Sequence, residues 1–158
     1  MRLKGYTLVE VLVSLTIVGL LFGFGFVSFR DFSRRQQLTS VAREVKGELR
    51  LAQSKASAGE KPDDIKCEGP NTLSSYSFRI INSTSYQTEA NCLGGNVVIK
   101  TGSLSDGISM TSTQNTISFK VLGQGTNVPQ GTEAVITFTQ AGTSNTATVR
   151  VTQGGEIK

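Results

Sequence analysis

The sequence predicts an α+β fold, in which a long N-terminal helix packs on an antiparallel β-sheet domain. The first observation is a helical pattern. An apolar run covers residues 6–29, and apolar residues then recur at spacings of three and four as far as Ala56. The second observation is a change of composition after Pro62, where Ser, Thr, Gly and Asn surround short alternating runs that are typical of strands.

Residues 6–29 are expected to form a transmembrane helix. A helix of this length spans about 36 Å, enough to cross a hydrocarbon core of about 30 Å. Glu10 is the only charged residue in the run. A carboxylate in lipid costs about 2.5–3.5 kcal/mol, so such a group usually has a partner and a function. A plain membrane anchor leaves Glu10 unexplained, and a secretory signal peptide has a shorter apolar core.

The helix is predicted to continue as an amphipathic segment over residues 30–59. Its apolar stripe consists of Leu38, Val41, Ala42, Val45, Leu49, Ala52 and Ala56. Gly59 is suited to cap the C-terminus of the helix, and Pro62 prevents its continuation. We expect this stripe to pack on the sheet that follows.

Residues 60–158 are predicted to form a globular β-sheet domain. Alternating apolar residues indicate strands at residues 76–81, 97–99, 117–121, 136–138 and 147–151. Polar or glycine-rich turns separate these runs, which indicates antiparallel hairpins with one face on the helix.

Cys67 and Cys92 are the only cysteines in the chain. If the domain lies outside the cytoplasm, a disulfide is favoured over two free thiols. Closing a loop of about 25 residues would stabilise the fold by about 3–4 kcal/mol. We predict no metal site. Zinc needs more ligands than two cysteines, histidine is absent, and two adjacent acids, Asp63 and Asp64, more often form a solvated turn than a calcium site.

Charge and composition limit the possible functions. The net charge is +4. Residues 30–55 contain seven basic and three acidic residues, whereas residues 56–158 contain seven basic and eight acidic residues. The chain has no histidine and no Ser/His/Asp, Cys/His or phosphate-binding pattern. We therefore do not expect an enzyme or a cofactor.

A short pattern at the N-terminus carries a family resemblance. Lys4 and Gly5 precede the sequence Tyr6-Thr7-Leu8-Val9-Glu10 and an uninterrupted apolar run. This pattern resembles the class III signal of type IV pilins and type II secretion pseudopilins. The resemblance implies that a prepilin peptidase removes residues 1–5 by cutting between Gly5 and Tyr6, and that the amine of Tyr6 is methylated. It also implies that residues 6–29 form the core segment of a filament. In that filament, Glu10 pairs with the N-terminal amine of an adjacent subunit.

The C-terminal part resembles the same family less specifically. Ile117-Ser118-Phe119 with Gly123, residues 134–138, Gly142 and residues 149–157 are similar to H-type pseudopilins and FimT-type minor pilins. The implied fold is the pilin fold. The implied partners are other pilin or pseudopilin subunits, prepilin peptidase, an inner-membrane assembly platform and the lipid bilayer.

We interpret the chain as a minor pilin or minor pseudopilin of a type IV pilus-like or type II secretion filament. It is expected to be a single-pass protein of the bacterial inner membrane, with a cytoplasmic N-terminus and a periplasmic or extracellular domain, before it enters the filament. The alternative is a DNA-binding minor pilin of natural transformation. The near-neutral charge of residues 56–158 disfavours DNA binding, which depends on clusters of Lys and Arg. A membrane-tethered enzyme or sensor is disfavoured by the missing catalytic groups.

Overall fold

The structure, a computed structural model, describes residues 5–158, with the side chains of residues 23–29 outside the description. In this range the chain forms one α-helix, α1 (Leu8–Ala58), followed by the strands β1 (Leu73–Ile80), β2 (Ser85–Cys92), β3 (Gly95–Ser103), β4 (Ile108–Ser112), β5 (Thr116–Lys120), β6 (Glu133–Gln140) and β7 (Thr146–Thr152). The predicted α+β fold, with a long N-terminal helix packed on antiparallel sheets, is confirmed. The chain divides into two compact units between Gln37 and Leu38.

The second unit contains a core built from one stripe of α1 and from both sheets. Six residues of the predicted stripe are at most 3% exposed, namely Leu38, Val41, Val45, Leu49, Ala52 and Ala56. They belong to one cluster with buried strand residues such as Phe78, Phe119 and Phe138. Spacings of three and four place these α1 residues on one side of the helix, where burial of apolar surface stabilises the packing.

Gly59 forms the predicted cap at the C-terminus of α1. The helix ends at Ala58, and Gly59 follows with a φ of +64°. The Gly59 N–H donates to the carbonyl of Ala56 at 3.0 Å, and the Glu60 N–H donates to the carbonyl of Lys55 at 3.1 Å. This pair of bonds is a Schellman motif, which needs a left-handed residue at the position of Gly59.

Substitution of this glycine is expected to destabilise the protein. Gly59→Ala places a Cβ in the left-handed region and should lower the free energy of unfolding by about 1 kcal/mol. Gly47→Ala is the matched control. Gly47 lies inside α1, and a Cβ built there meets no atom within 4 Å. This change should instead stabilise the helix by up to about 1 kcal/mol. Urea denaturation of both variants measures the difference, and an equal effect of the two changes would contradict the assignment.

The strands form two antiparallel sheets. One has the order β3-β2-β1-β5 and the other has the order β4-β6-β7. All five predicted strand regions overlap strands, but two extend one residue too far. β1 ends at Ile80 and not at Ile81, and β5 ends at Lys120 because Val121 begins a short 3-10 helix. Neither β2 nor β4 was predicted. β2 carries buried polar residues, Thr88 and Glu89, in place of a clear apolar alternation, and β4 is only five residues long.

Close packing around Tyr86 joins α1 to the four-stranded sheet. The Tyr86 ring stacks on Phe78 with ring centroids 4.9 Å apart, and its hydroxyl donates to Glu44 Oε1 at 3.5 Å. Burial, with a smaller contribution from the Glu44 carboxylate, raises the pKa of Tyr86 to about 12. A Cβ at Gly102 would overlap this ring, so glycine is required at that position of β3.

The structure contains the disulfide that the sequence predicted. It joins Cys67, the last residue of the 3-10 helix Ile65–Cys67, to Cys92 at the end of β2, with the two Cα atoms 5.3 Å apart. Both cysteines are buried in the core cluster. The disulfide therefore attaches the segment that follows α1 to the sheet.

The edges of the two sheets differ in how they are covered. At β5, the Ser118 N–H donates to Asn127 Oδ1 at 2.9 Å, and the Asn127 N–H donates to the Ser118 carbonyl at 3.1 Å. At β7, Arg150 and Lys158 exchange two backbone hydrogen bonds of 3.2 and 3.0 Å. Loops or tail residues thus bind backbone groups on the outer side of both strands.

A loop residue also binds the outer side of β4, whereas the outer side of β3 is less covered. The Met110 N–H of β4 donates to the carbonyl of Ser83 at 2.7 Å. β3 is the terminal strand of its sheet, and its Val98 and Ile99 side chains are 53% and 37% exposed.

Candidate functional site

The predicted cleavage site lies at the start of the described chain. Gly5, Tyr6 and Thr7 precede the helix, and Tyr6 is 83% exposed. A Cβ built on Gly5 meets no atom within 4 Å. The peptide bond between Gly5 and Tyr6 is therefore exposed and outside regular structure, as a peptidase requires of its substrate. The other leader residues, 1–4, lie outside the described residues.

Glu10 lies in the first turn of α1, and Thr7 caps that turn. The Glu10 N–H donates to Thr7 Oγ1 at 3.3 Å, and the Val11 N–H donates to the Thr7 carbonyl at 3.3 Å. Thr-x-x-Glu is the pattern of a capping box, and the helix dipole stabilises a carboxylate in the first turn. Sequence reasoning singled out Glu10 but missed the cap, although the spacing of Thr7 and Glu10 was the signal that could have revealed it.

An apolar groove runs beside Glu10. It has a volume of about 300 Å³ and is lined by Tyr6, Glu10, Val11, Ser14, Leu15 and Val18. The Ser14 hydroxyl donates to the Glu10 carbonyl at 2.8 Å, so this hydroxyl is satisfied within the helix. The Glu10 carboxylate lies one helical turn from Tyr6, at the border of a surface that otherwise consists mostly of apolar atoms.

This part of α1 exposes a continuous apolar surface, which we call the assembly segment (residues 5–22). Its large apolar side chains are between 47% and 83% exposed: Tyr6, Leu8, Val9, Val11, Leu12, Val13, Leu15, Ile17, Val18, Leu20, Leu21 and Phe22. Soluble monomers rarely expose so large an apolar patch, and such patches mark contacts with proteins or membranes. The assembly segment is therefore suited to contact lipid, other chains, or both in succession.

A membrane span was predicted over residues 6–29. Within the part of the chain whose side chains are described, no helical stretch is both long enough and apolar enough to cross a membrane. Residues 23–29 of the predicted span lie outside that part.

Of the two adjacent acids Asp63 and Asp64, Asp64 has a local structural role. Asp64 Oδ1 accepts a hydrogen bond from the Lys66 N–H at 2.9 Å and caps the 3-10 helix. Among the described residues, no three His, Cys, Asp or Glu side chains are placed to hold a metal ion. Of the residues that the sequence singled out, the structure brings Gly5, Tyr6 and Glu10 into one segment and joins Cys67 to Cys92 elsewhere in the chain.

Comparisons with known proteins give two matches. The model of the prokaryotic N-terminal methylation motif matches residues 1–26. A stretch of 84 residues is 31% identical to a probable minor fimbrial protein of Dichelobacter nodosus, and it covers 48% of this chain and 52% of that protein. The chain thus spans about half the length of this relative. A comparison with solved structures finds no match. The chain therefore carries the N-terminal methylation motif of prokaryotic pilins, and its motif, fold and fimbrial relative are consistent with the type IV pilin family.

Proposed function

We propose that the chain is a structural subunit, a minor pilin or minor pseudopilin, of a type IV pilus-like or type II secretion filament. The observation that carries this proposal is the coincidence of the methylation motif with the exposed assembly segment and its single carboxylate. The similarity to a minor fimbrial protein supports a pilus subunit. We further propose that the chain has a structural rather than a catalytic role, as pilin subunits do.

Processing by a prepilin peptidase is the proposed first step. The enzyme would cut between Gly5 and Tyr6 and methylate the new amine of Tyr6. The exposed, non-helical position of this bond supports the proposal. Cleavage leaves an ammonium group two residues before Leu8, where α1 begins.

Pairing between subunits is the proposed mechanism of assembly. When two assembly segments pack together, the Glu10 carboxylate and the Tyr6 ammonium both leave water. Each charge is costly unless it is paired, so packing arrangements that bring the two together are strongly favoured over the others. Glu10 of one subunit and the amine of its neighbour would then define the axial register of the filament.

The bacterial inner membrane is the proposed location before assembly. The apolar composition of the assembly segment supports contact with lipid, and the disulfide supports a domain outside the cytoplasm. We propose a single-pass topology with the N-terminus in the cytoplasm. In this arrangement the peptidase reaches the bond after Gly5, and an assembly platform in the same membrane extracts the processed subunit.

Mass spectrometry of the protein from its own host tests this function. We expect an intact mass that corresponds to residues 6–158 with one added methyl group. Tandem spectra should place the methyl group on the amine of Tyr6. A chain that keeps residues 1–5, or that begins at another residue, would contradict the proposal.

Contacts near the C-terminus do not favour the DNA-binding alternative. Arg150 pairs with Glu133 at 3.2 Å, and Lys158 pairs with Glu156 at 3.3 Å. The carboxylates offset the basic charge that phosphate binding would require. We expect the full chain to show no DNA binding at physiological salt. Binding whose affinity falls steeply with salt would favour the alternative instead.

A further inference from the structure

A polar cavity of about 480 Å³ lies on the outer face of the four-stranded sheet. Eight of its ten lining residues are polar, and they come from all four strands and from the turn before β5. The central ones are Ser77, Arg79, Glu89, Asn91, Asn96 and Ser118. The cavity lies in the second unit and includes no residue of the assembly segment.

The cross-strand register creates this cavity. Ser77 of β1 lies opposite Glu89 of β2 on one side and opposite Ser118 of β5 on the other. Asn91 of β2 lies opposite Asn96 of β3. Directly paired residues project from the same face of a sheet. Short serine side chains therefore form the floor, and longer amide and charged side chains surround it.

Hydrogen bonds hold the floor of the cavity in place. The Asn91 side-chain amide donates to Ser75 Oγ at 2.8 Å and also to Ser77 Oγ. The Ser118 hydroxyl donates to Ser77 Oγ at 3.3 Å. Ser77 is only 2% exposed. Because these side chains already have fixed positions, a ligand would lose little free energy in ordering them.

Glu89 is a buried charge in the wall of the cavity. It is 4% exposed. Its Oε2 accepts a hydrogen bond from the Asn96 amide at 3.4 Å, and its Oε1 accepts one from the Gln87 amide. Arg79 Nη1 lies 3.6 Å from Oε1. The carboxylate and the guanidinium balance each other, so the cavity carries no net charge.

We propose that this cavity binds a neutral, polyhydroxylated ligand, a mono- or disaccharide. Its volume lies within the range of about 300–1,000 Å³ that is usual for small-molecule sites. Serine hydroxyls and asparagine amides both donate and accept hydrogen bonds, as sugar hydroxyls do. An apolar ligand would shield this polar lining from water without offering hydrogen bonds in return. A free anion would meet the Glu89 carboxylate, and a free cation would meet the Arg79 guanidinium.

Nuclear magnetic resonance of the full chain in phosphocholine micelles tests the proposal. The 15N-labelled protein is titrated with glucose, galactose, mannose and N-acetylglucosamine to about 20 mM, which detects millimolar dissociation constants. At least one sugar should shift the side-chain amide signals of Asn91 and Asn96 in a saturable way. The proposal is overturned if none of the four sugars does so, or if saturable shifts fall only on residues outside the cavity.

Two variants distinguish a site from general surface contact. Ser118→Leu fills the floor of the cavity and should weaken sugar binding at least about tenfold, because it displaces the ligand and removes a hydroxyl. Ser109→Leu is the matched control on β4, at a half-buried position in the other sheet, and should leave the affinity unchanged. If Ser118→Leu does not fold, Asn96→Ala at the exposed rim replaces it and should weaken binding at least about threefold. Equal affinity in the folded cavity variant and the control would overturn the proposal.

Discussion

A chain in which Glu10 is replaced by glutamine is expected to be processed normally but to be nearly absent from filaments. Glutamine keeps the size and position of the side chain and removes its charge. A neighbouring ammonium group would then enter the apolar contact unpaired, at a cost of about 3–5 kcal/mol. Incorporation should therefore fall by about a hundredfold or more. The measurement compares the amount of the protein in sheared filaments with the amount in the membrane.

Two further variants separate assembly from processing and from general effects of charge. Gly5→Ala is expected to keep residues 1–5 attached, so its defect should already be visible in the mass of the membrane protein. Glu68→Gln removes a carboxylate from an exposed position outside the assembly segment and should assemble as the unmodified chain does. If Glu10→Gln enters filaments as efficiently as Glu68→Gln does, the role in subunit register assigned to Glu10 is wrong.

Replacing Leu49 with alanine is expected to lower the free energy of unfolding by about 3–5 kcal/mol. Leu49 is fully buried in the cluster that α1 forms with the strands. Its truncation removes apolar contacts and leaves a cavity that a close-packed core cannot fill completely. The loss is a large part of the about 5–15 kcal/mol that stabilises a typical domain. Urea unfolding followed by tyrosine fluorescence measures it, since the chain has no tryptophan.

Leu51→Ala is the matched control for this prediction. Leu51 lies two residues further along α1 and is 49% exposed. Its truncation should change the free energy of unfolding by no more than about 0.5 kcal/mol. Equal losses in the two variants would show that the buried stripe does not carry the stability that we assign to it.

The helix could be predicted from the sequence because its signals are local. Buried residues of α1 recur at spacings of three and four, and Gly59 with Pro62 marks the end of the helix. The strands were harder to predict from the sequence. In β2, the buried residues include the polar Thr88 and Glu89. The burial of this strand therefore leaves no alternation of apolar residues in the sequence. The division into two sheets depends on the non-consecutive pairs β1–β5 and β4–β6, for which the sequence has no local signal.

The two candidate sites also differ in how far the sequence could predict them. The assembly segment was predictable because Gly5, Tyr6 and Glu10 lie within one short stretch of sequence. The polar cavity was not predictable, because Ser77, Glu89 and Ser118 become neighbours only through the register of three strands. Serines and asparagines in a strand are typical of a solvated sheet face, and only the strand pairing shows that these side chains line a common pocket.

The open outer side of β3 affects how concentrated solutions of the protein should behave. Unpaired backbone groups on a terminal strand can bind any extended chain, and Val98 and Ile99 add apolar contacts there. Lysine on such a strand normally opposes this contact, but Lys100, the one charged residue of β3, pairs with Glu48 of α1. Once detergent covers the assembly segment, copies of the protein are therefore expected to adhere first along this strand, and a second lysine there is the most direct way to keep purified protein in solution.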